Sequence, residues 1–190
     1  MAGIYIHIPF CKSRCIYCGF YSTTATELRQ RYVDAVCMEV RGKRYEERDE
    51  RIETIYLGGG TPSQLTIPQL RQLFEALTSH FSPLTSHIQE VTIEMNPDDV
   101  TAEYAAALPP LGINRVSMGA QTFDDSRLRF LNRRHNAAQV PTAVRILREA
   151  GISNISIDLM YGSPARHLTI GNVTLMPPLL WTWNIFRPIA

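Results

Sequence analysis

Five short apolar segments with strand-like composition alternate along this chain with segments whose apolar residues recur at helical spacing. The strand candidates are residues 4–8, 54–57, 91–95, 115–121 and 155–160. Strict alternation of this kind predicts a parallel sheet whose strands are joined by right-handed helical crossovers. The near-continuous apolar strands predict burial on both faces of the sheet. The expected fold class is therefore α/β, either barrel-like or doubly wound.

The helix candidates are residues 25–48, a segment that begins at Thr66, residues 101–108, and a segment that Gly151 can end. The clearest apolar stripe belongs to the second helix and consists of Leu70, Leu73, Phe74, Leu77 and Phe81. Cys37 lies within the first helix candidate, where we expect a small core residue and not a ligand. His135 is expected to serve the structure.

The charge of the chain gives no sign of a polyanionic partner. Nineteen Lys and Arg residues against 18 Asp and Glu residues leave a net charge of +1, so no nucleic-acid partner is expected. The N-terminal segment lacks a basic region followed by a long apolar region, and no segment is long and apolar enough to span a membrane. We therefore expect a cytoplasmic protein, in which thiols favour metal ligation over disulfides.

Cys11, Cys15 and Cys18 follow the first strand candidate at C-x3-C-x2-C spacing. A cubane iron-sulfur cluster has four irons to ligate, so three cysteines in one loop predict either a distant fourth ligand or one iron left open for a substrate. The alternative is a zinc module in which His7 or water completes the coordination. Zinc does not require the glycines and carboxylates that follow the other strands, so the sequence favours a cluster.

Unusual residues stand at the carboxyl ends of the other strand candidates. They are the Gly58-Gly59-Gly60-Thr61-Pro62 turn, Glu94, Gln121 and Asp158. Ligands bind at this edge in barrels and in doubly wound sheets, so we expect these residues to share one rim with the cysteines. The glycines permit positive φ angles and bring backbone N–H groups close to a ligand. An ordinary strand-to-helix turn is the alternative explanation of the glycines.

Several further segments resemble one family, the radical S-adenosylmethionine (SAM) superfamily, and within it the branch of oxygen-independent coproporphyrinogen III oxidase. The matching segments are YIHIPFC from Tyr5, the cysteine motif with Tyr17, GGGTPS from Gly58, Glu94, GAQTF from Gly119, Asn132-Arg133, and IDLMYG from Ile157. The resemblance covers about residues 1–164. It implies a partial TIM-type (β/α) barrel that ends after about five β-α units.

The resemblance also implies a 4Fe-4S cluster held by Cys11, Cys15 and Cys18. Its open iron would bind the amino and carboxylate groups of SAM, and one electron would cleave the sulfonium C–S bond to give methionine and a 5′-deoxyadenosyl radical. Glu94 would bind the ribose hydroxyls. The whole set of cofactor-binding residues implied by the resemblance is Tyr5, Tyr17, Gly59, Gly60, Thr61, Glu94, Gln121, Arg133 and Asp158.

The sequence resembles one of two branches of this family more than the other. Phe20 stands where the coproporphyrinogen dehydrogenase has an additional cysteine, and only ten residues precede Cys11. CGFYS with a short N-terminus resembles the HemW-type haem chaperones, which bind haem and pass it to haem-requiring proteins. The resemblance therefore implies a chaperone with haem as cargo and haem-accepting proteins as partners. The alternative is radical oxidative decarboxylation of coproporphyrinogen III.

The resemblance stops after residue 164. Residues 165–190 lack a helical period and contain Met176-Pro177-Pro178 and both tryptophans of the chain. We expect two segments, a radical SAM partial barrel over residues 1–164 and an atypical tail over 165–190 that a frameshift explains. The sixth strand and a C-terminal domain would then be missing, and the edge of the fifth strand would be open.

Overall fold

A computed structural model describes residues 2–42, 52–80 and 87–160. Its sheet has five parallel strands, which are β1 (Ala2–Ile8), β2 (Ile52–Gly59), β3 (Glu90–Met95), β4 (Arg115–Gln121) and β5 (Asn154–Leu159). The strands lie in the sheet in the same order as in the sequence. Right-handed crossovers that all advance in one direction place their helices on one face, which is the winding of a barrel. A doubly wound sheet reverses direction part-way, so the structure decides for the barrel.

Within residues 2–42, 52–80 and 87–160, five α-helices connect and follow the strands. They are α1 (Arg29–Gly42), α2 (Ile67–His80), α3 (Ala102–Ala107), α4 (Asp125–Phe130) and α5 (Gln139–Glu149). The predicted stripe on α2 is confirmed for Leu70, Leu73, Phe74 and Leu77, which are all buried. Helix α4 was missed by the sequence analysis, although Asp124 caps it by accepting hydrogen bonds from the N–H groups of Ser126 and Arg127.

The two faces of the sheet have different chemistry. Apolar side chains, among them Leu57, Ile93 and Met118, are fully buried and belong to the hydrophobic core. Alternate residues point to the other face, where Thr92, Ser117 and Ser156 are also buried, so the predicted burial on both faces is confirmed at these positions, although the side chains there are polar. On that face Arg115 donates hydrogen bonds to Thr92 at 3.1 Å and to Ser156 at 3.0 Å. Buried polar groups that bond to one another in this way need no apolar neighbours.

Several predictions concern residues that the structure does not describe. These are the end of the first helix beyond residue 42, Phe81, the boundary at residue 164 and the atypical tail over 165–190. Among the described residues, β5 pairs with β4 alone and forms one edge of the sheet. None of the helices in the described part of the chain is long and apolar enough to cross a membrane.

Candidate functional site

The three cysteines of the motif lie on the loop that leaves β1. The N–H of Cys11 donates to the carbonyl of Thr23 at 2.9 Å, and the N–H of Thr23 donates to the carbonyl of Pro9 at 2.7 Å. The loop therefore leaves the sheet and returns to it at one place. Cys11 is buried, Cys15 and Cys18 are half-buried, and all three are free thiols. This arrangement keeps the three sulfur atoms on one short, anchored segment.

Two of the thiols contact residues of the predicted cofactor pocket. Sγ of Cys11 lies 3.5 Å from Oγ1 of Thr61, which follows the glycine turn after β2. Nη1 of Arg133 donates to Sγ of Cys15 at 3.5 Å. Burial raises the pKa of the Cys11 thiol, the hydrogen bond of Thr61 opposes that rise, and the nearby Cys18 thiol adds to it. The structure thus places two of the three predicted metal ligands, Cys11 and Cys15, next to Thr61 and Arg133.

Asn96, which is not among the predicted site residues, connects these two contacts. Its Nδ2 donates to Oγ1 of Thr61 at 3.3 Å, and its Oδ1 accepts from Nη2 of Arg133 at 2.7 Å. A cleft beside Cys15 is bordered by Asn96 and Arg133. An amide at the carboxyl end of a parallel strand is the signal by which the sequence could have identified it.

Glu94 is the centre of a second group on the same rim. The hydroxyl of Tyr56 donates to its Oε1 at 2.7 Å, and the N–H of Gly59 donates to its Oε2 at 3.1 Å. The ring of Tyr5 stacks on that of Tyr56, with centroids 6.1 Å apart. Burial raises the pKa of the Glu94 carboxyl, the bonds from Tyr56 and Gly59 oppose the rise, and Asp158 adds to it. The two carboxylates are therefore close enough to influence each other.

The glycine turn differs from the prediction that its N–H groups face a ligand. The N–H of Gly60 donates to the carbonyl of Ile8 at 2.8 Å, and that of Gly59 is used by Glu94. The turn packs directly on the end of β1, where a Cβ at Gly60 would lie 2.8 Å from the carbonyl carbon of Pro9. Gly59 also has a φ of 114°, which favours glycine. Packing and backbone conformation therefore account for both glycines.

The remaining predicted pocket residues also lie on this rim. Gln121 is buried and has a positive φ of 65° at the point where the pairing of β4 with β5 shifts. Asp158 accepts a hydrogen bond from Ser117 at 3.4 Å. Burial raises the pKa of the Tyr17 hydroxyl, Arg133 lowers it, and the neighbouring Cys15 raises it. Tyr17 thus lies beside the same thiol that Arg133 contacts.

A comparison with known protein families identifies the family of this chain. Residues 5–168 match the model of the Radical SAM superfamily. The chain belongs to the radical SAM superfamily. A solved structure of this superfamily, coproporphyrinogen III oxidase from Escherichia coli, superimposes with a TM-score of 0.72 at 29% sequence identity. That match covers 84% of this chain and 37% of the other, and it agrees with the α/β partial barrel predicted from the sequence.

Curated relatives within the radical SAM superfamily carry two kinds of name. The heme chaperone HemW of Bacillus subtilis is 38% identical over 170 residues, which are 88% of this chain and 44% of that protein. An oxygen-independent coproporphyrinogen III oxidase of Bradyrhizobium diazoefficiens is 34% identical over 179 residues, which are 90% of this chain and 38% of that protein. The chain therefore spans less than half the length of either relative.

The donor set suits the iron-sulfur cluster of a radical SAM protein better than it suits zinc. His7, the candidate fourth zinc ligand, already uses both ring nitrogens. Its Nε2 donates to the carbonyl of Tyr21 at 2.9 Å, and its Nδ1 hydrogen-bonds the hydroxyl of Tyr5 at 3.1 Å. Cys37 is buried in α1, as predicted, and lies in the hydrophobic core. Three thiols without a protein nitrogen fit iron and sulfide.

The three thiols do not yet converge. Among the described residues, no group of three or more His, Cys, Asp or Glu side chains is close enough to hold a metal ion as it stands. Binding of a cluster would therefore require the three sulfur atoms to come closer together. The guanidinium of Arg133 at Cys15 is a suitable neighbour for such a site, because positive charge offsets the charge of thiolate ligands.

Proposed function

We propose that this chain is the cluster- and SAM-binding part of a haem chaperone, with Cys11, Cys15 and Cys18 as ligands of a 4Fe-4S cluster. The observation that carries the site is the contact of two thiols with two side chains of the predicted pocket, Cys11 with Thr61 and Cys15 with Arg133. When bound, the cluster supplies the electron that cleaves the sulfonium C–S bond of SAM. Every other role falls to side chains on the rim.

The proposed roles follow from the hydrogen bonds that are already made. A carboxylate has about four lone-pair sites, so Glu94 can accept from ribose hydroxyls while it keeps Tyr56 and Gly59 as donors. Thr61 and the two glycines would bind the methionine end through atoms other than the two N–H groups that are in use. The remaining proposed contacts with SAM belong to Tyr5, Tyr17, Gln121, Arg133 and Asp158.

The proposed cargo is haem, and the proposed partners are proteins that accept haem. Support comes from the relatives that are named heme chaperones and from Phe20, which occupies the position of the additional cysteine of the dehydrogenase and is 61% exposed. The proposal places the protein in the cytoplasm, where thiols stay available for a cluster. It also assigns residues 1–164 to the radical SAM barrel and 165–190 to an atypical tail.

The second candidate function is oxidative decarboxylation of coproporphyrinogen III. It is favoured by the relative from Bradyrhizobium and by the superposition on the Escherichia coli enzyme, whose names state that activity. The two candidates share the cluster and SAM, and they differ in the molecule that binds at the rim, which is haem in one and coproporphyrinogen III in the other. Haem binding and turnover of coproporphyrinogen are therefore the measurements that separate them.

The test uses the full chain of 190 residues, reconstituted anaerobically with iron and sulfide. We expect about four irons per chain, binding of SAM, stoichiometric binding of haem in an optical titration, and no decarboxylated product by mass spectrometry. The Cys15→Ala variant is the control without a cluster. Turnover of coproporphyrinogen would replace the chaperone role, and a colourless protein that binds only zinc would remove the cluster. A cluster without haem binding would leave SAM binding and end the chaperone role of this chain.

A further inference from the structure

Asp99 is a buried carboxylate at the end of the short 3-10 turn Pro97–Asp99, directly beyond β3, and its side chain is only 4% exposed. Its Oδ2 accepts hydrogen bonds from Oγ of Ser63 at 2.9 Å and from Nε2 of Gln64 at 2.7 Å. Its Oδ1 accepts from Nζ of Lys12 at 2.8 Å. Burying a carboxylate costs several kcal/mol per ion unless partners of this kind surround it, so its place is set by those partners.

The partners of Asp99 come from the segments that carry the candidate site. Lys12 directly follows Cys11 in the sequence. Ser63 and Gln64 lie just after Thr61, whose hydroxyl touches the Cys11 thiol. One carboxylate thus joins the cysteine loop to the turn that follows β2.

Arg134 links Asp99 to a third segment, the one that carries Arg133. Nη1 of Arg134 lies 3.8 Å from Oδ1 of Asp99, and Arg134 also forms an ion pair with Asp98. The preceding residue, Arg133, donates to the thiol of Cys15. Lys12 therefore lies next to a cysteine, and Ser63, Gln64 and Arg134 each lie within three positions of a residue that contacts a cysteine thiol.

We propose that Asp99 is a positioning residue that holds the cysteine loop against the turn after β2 through its bond with Lys12. Asp99 touches neither a thiol nor the cofactor pocket, and it acts by limiting how far Cys11 and Cys15 move from Thr61 and Arg133. The inference rests on the proposed function for its effect on SAM. Its effect on the loop is independent of any bound group.

The alternative is that Asp99 only stabilises the turn between β3 and α3. In that case its loss would lower the stability of the whole domain and would leave the loop no more mobile than the core. Cys37 reports on the core because it is buried in α1, whereas Cys11 and Cys15 report on the loop. Alkylation of these thiols in one sample therefore distinguishes a local effect from a global one.

The experiment compares Asp99→Asn and Lys12→Met with the unmodified full chain. The control is Arg145→Met, which breaks an ion pair of the same 2.8 Å length between exposed side chains on α5. In cluster-free protein, alkylation by iodoacetamide is followed at each cysteine by mass spectrometry. We expect Cys11 and Cys15 to react about fivefold faster in both variants, the factor that corresponds to about 1 kcal/mol, with Cys37 unchanged. The control should react at the rate of the unmodified chain.

The double variant tests whether the two residues act as one unit. Because both single substitutions break the same bond, the double variant should react no faster than either of them. After reconstitution, the variants should bind SAM about fivefold more weakly, with a changed electron paramagnetic resonance spectrum of the reduced cluster.

Three outcomes would overturn the positioning role: unchanged rates at Cys11 and Cys15, equal acceleration at Cys37, or additive effects in the double variant. If Asp99→Asn does not fold, Lys12→Met decides the matter, since the lysine side chain is half exposed. If the unmodified chain assembles no cluster, the proposed function fails, and the alkylation rates still decide whether Asp99 holds the loop.

Discussion

The hydroxyl of Tyr56 donates a hydrogen bond of 2.7 Å to Oε1 of Glu94, from strand β2 to the neighbouring strand β3. The N–H of Gly59 holds the other carboxylate oxygen. Together these two donors set the direction in which Glu94 faces the rim. Tyr56 was not among the predicted site residues, and its role depends on the pairing of β2 with β3.

Replacing Tyr56 by Phe should weaken the binding of SAM about fivefold, because a hydrogen bond of about 1 kcal/mol that orients Glu94 is lost. The iron content should stay the same, since Tyr56 contacts none of the cysteines. Anaerobic calorimetric titration with SAM measures the affinity. Tyr104→Phe is the matched control, because it removes the hydrogen bond that Tyr104 of helix α3 donates to the carbonyl of Leu65. Equal affinities in the two variants would contradict the role of Tyr56.

Glu94 should make the stability of the cluster-free protein depend on pH in a defined direction. Burial raises the pKa of this carboxyl above 4.5, so the folded state binds the proton more tightly than the unfolded state does. The stability that this group contributes is complete below pH 4.5 and is lost as the pH rises through the raised pKa. Relative to Glu94→Gln, the free energy of unfolding of the unmodified chain should therefore fall over that interval.

Urea denaturation at a series of pH values measures this difference. Glu149→Gln serves as the control, because the Glu149 side chain is 62% exposed on α5. The gap between the unmodified chain and that control should stay nearly constant. A gap between the unmodified chain and Glu94→Gln that widens in favour of the unmodified chain with rising pH would show that burial does not dominate at Glu94.

Two cysteine variants should separate metal binding from packing. Cys15→Ala should abolish the visible absorbance of the cluster and change the free energy of unfolding of the cluster-free protein by less than about 0.5 kcal/mol, as is usual for sites outside the core. Cys37→Ala should retain the cluster and lower that free energy by about 1 kcal/mol, since it leaves a gap in the core. Iron analysis and denaturation provide the two measurements. Cluster absorbance in Cys15→Ala would refute the ligand assignment.

Two glycines on the site loops should respond differently to alanine. A Cβ at Gly60 would lie 2.8 Å from the carbonyl carbon of Pro9, 2.9 Å from its oxygen and 3.0 Å from the carbonyl oxygen of Ile8, whereas nothing lies within 4 Å of a Cβ at Gly19. Gly60→Ala should destabilise the protein by about 2 kcal/mol, because β1 and the turn after β2 would have to separate. Gly19→Ala should change stability little. Thermal unfolding of both variants is the test, and equal midpoints would contradict the close packing at Gly60.

The elements of the fold were predictable where their pattern is local. The strand β4 was predicted with the bounds that it has, Arg115–Gln121, and four residues of the predicted stripe on α2 are buried. Helix α4 was missed, whereas the equally short α3 was predicted, because α3 is rich in alanine, the strongest helix former, and α4 is not. The polar face of the sheet was missed because Thr92, Ser117 and Ser156 become suitable for burial only when they bond across strands.

The residues of the candidate site were likewise predictable only in part. The cysteine motif and Glu94 were recognised because residue type and spacing within a short segment indicate their chemistry. Asn96 and Tyr56 were not recognised as site residues, because an amide and a phenol occur at many positions without any binding role. Their bonds to Arg133 and Glu94 show where they act.

The sequence by itself determined the order of strands and helices and the placement of three thiols on one loop, since both depend on neighbours along the chain. The tertiary structure alone decided which side chains surround those thiols. Lys12 meets Asp99 across 87 positions, and Arg133 meets Cys15 across 118. Contacts at such separations depend on strand pairing and on how the loops pack at the carboxyl edge, and no local pattern specifies them.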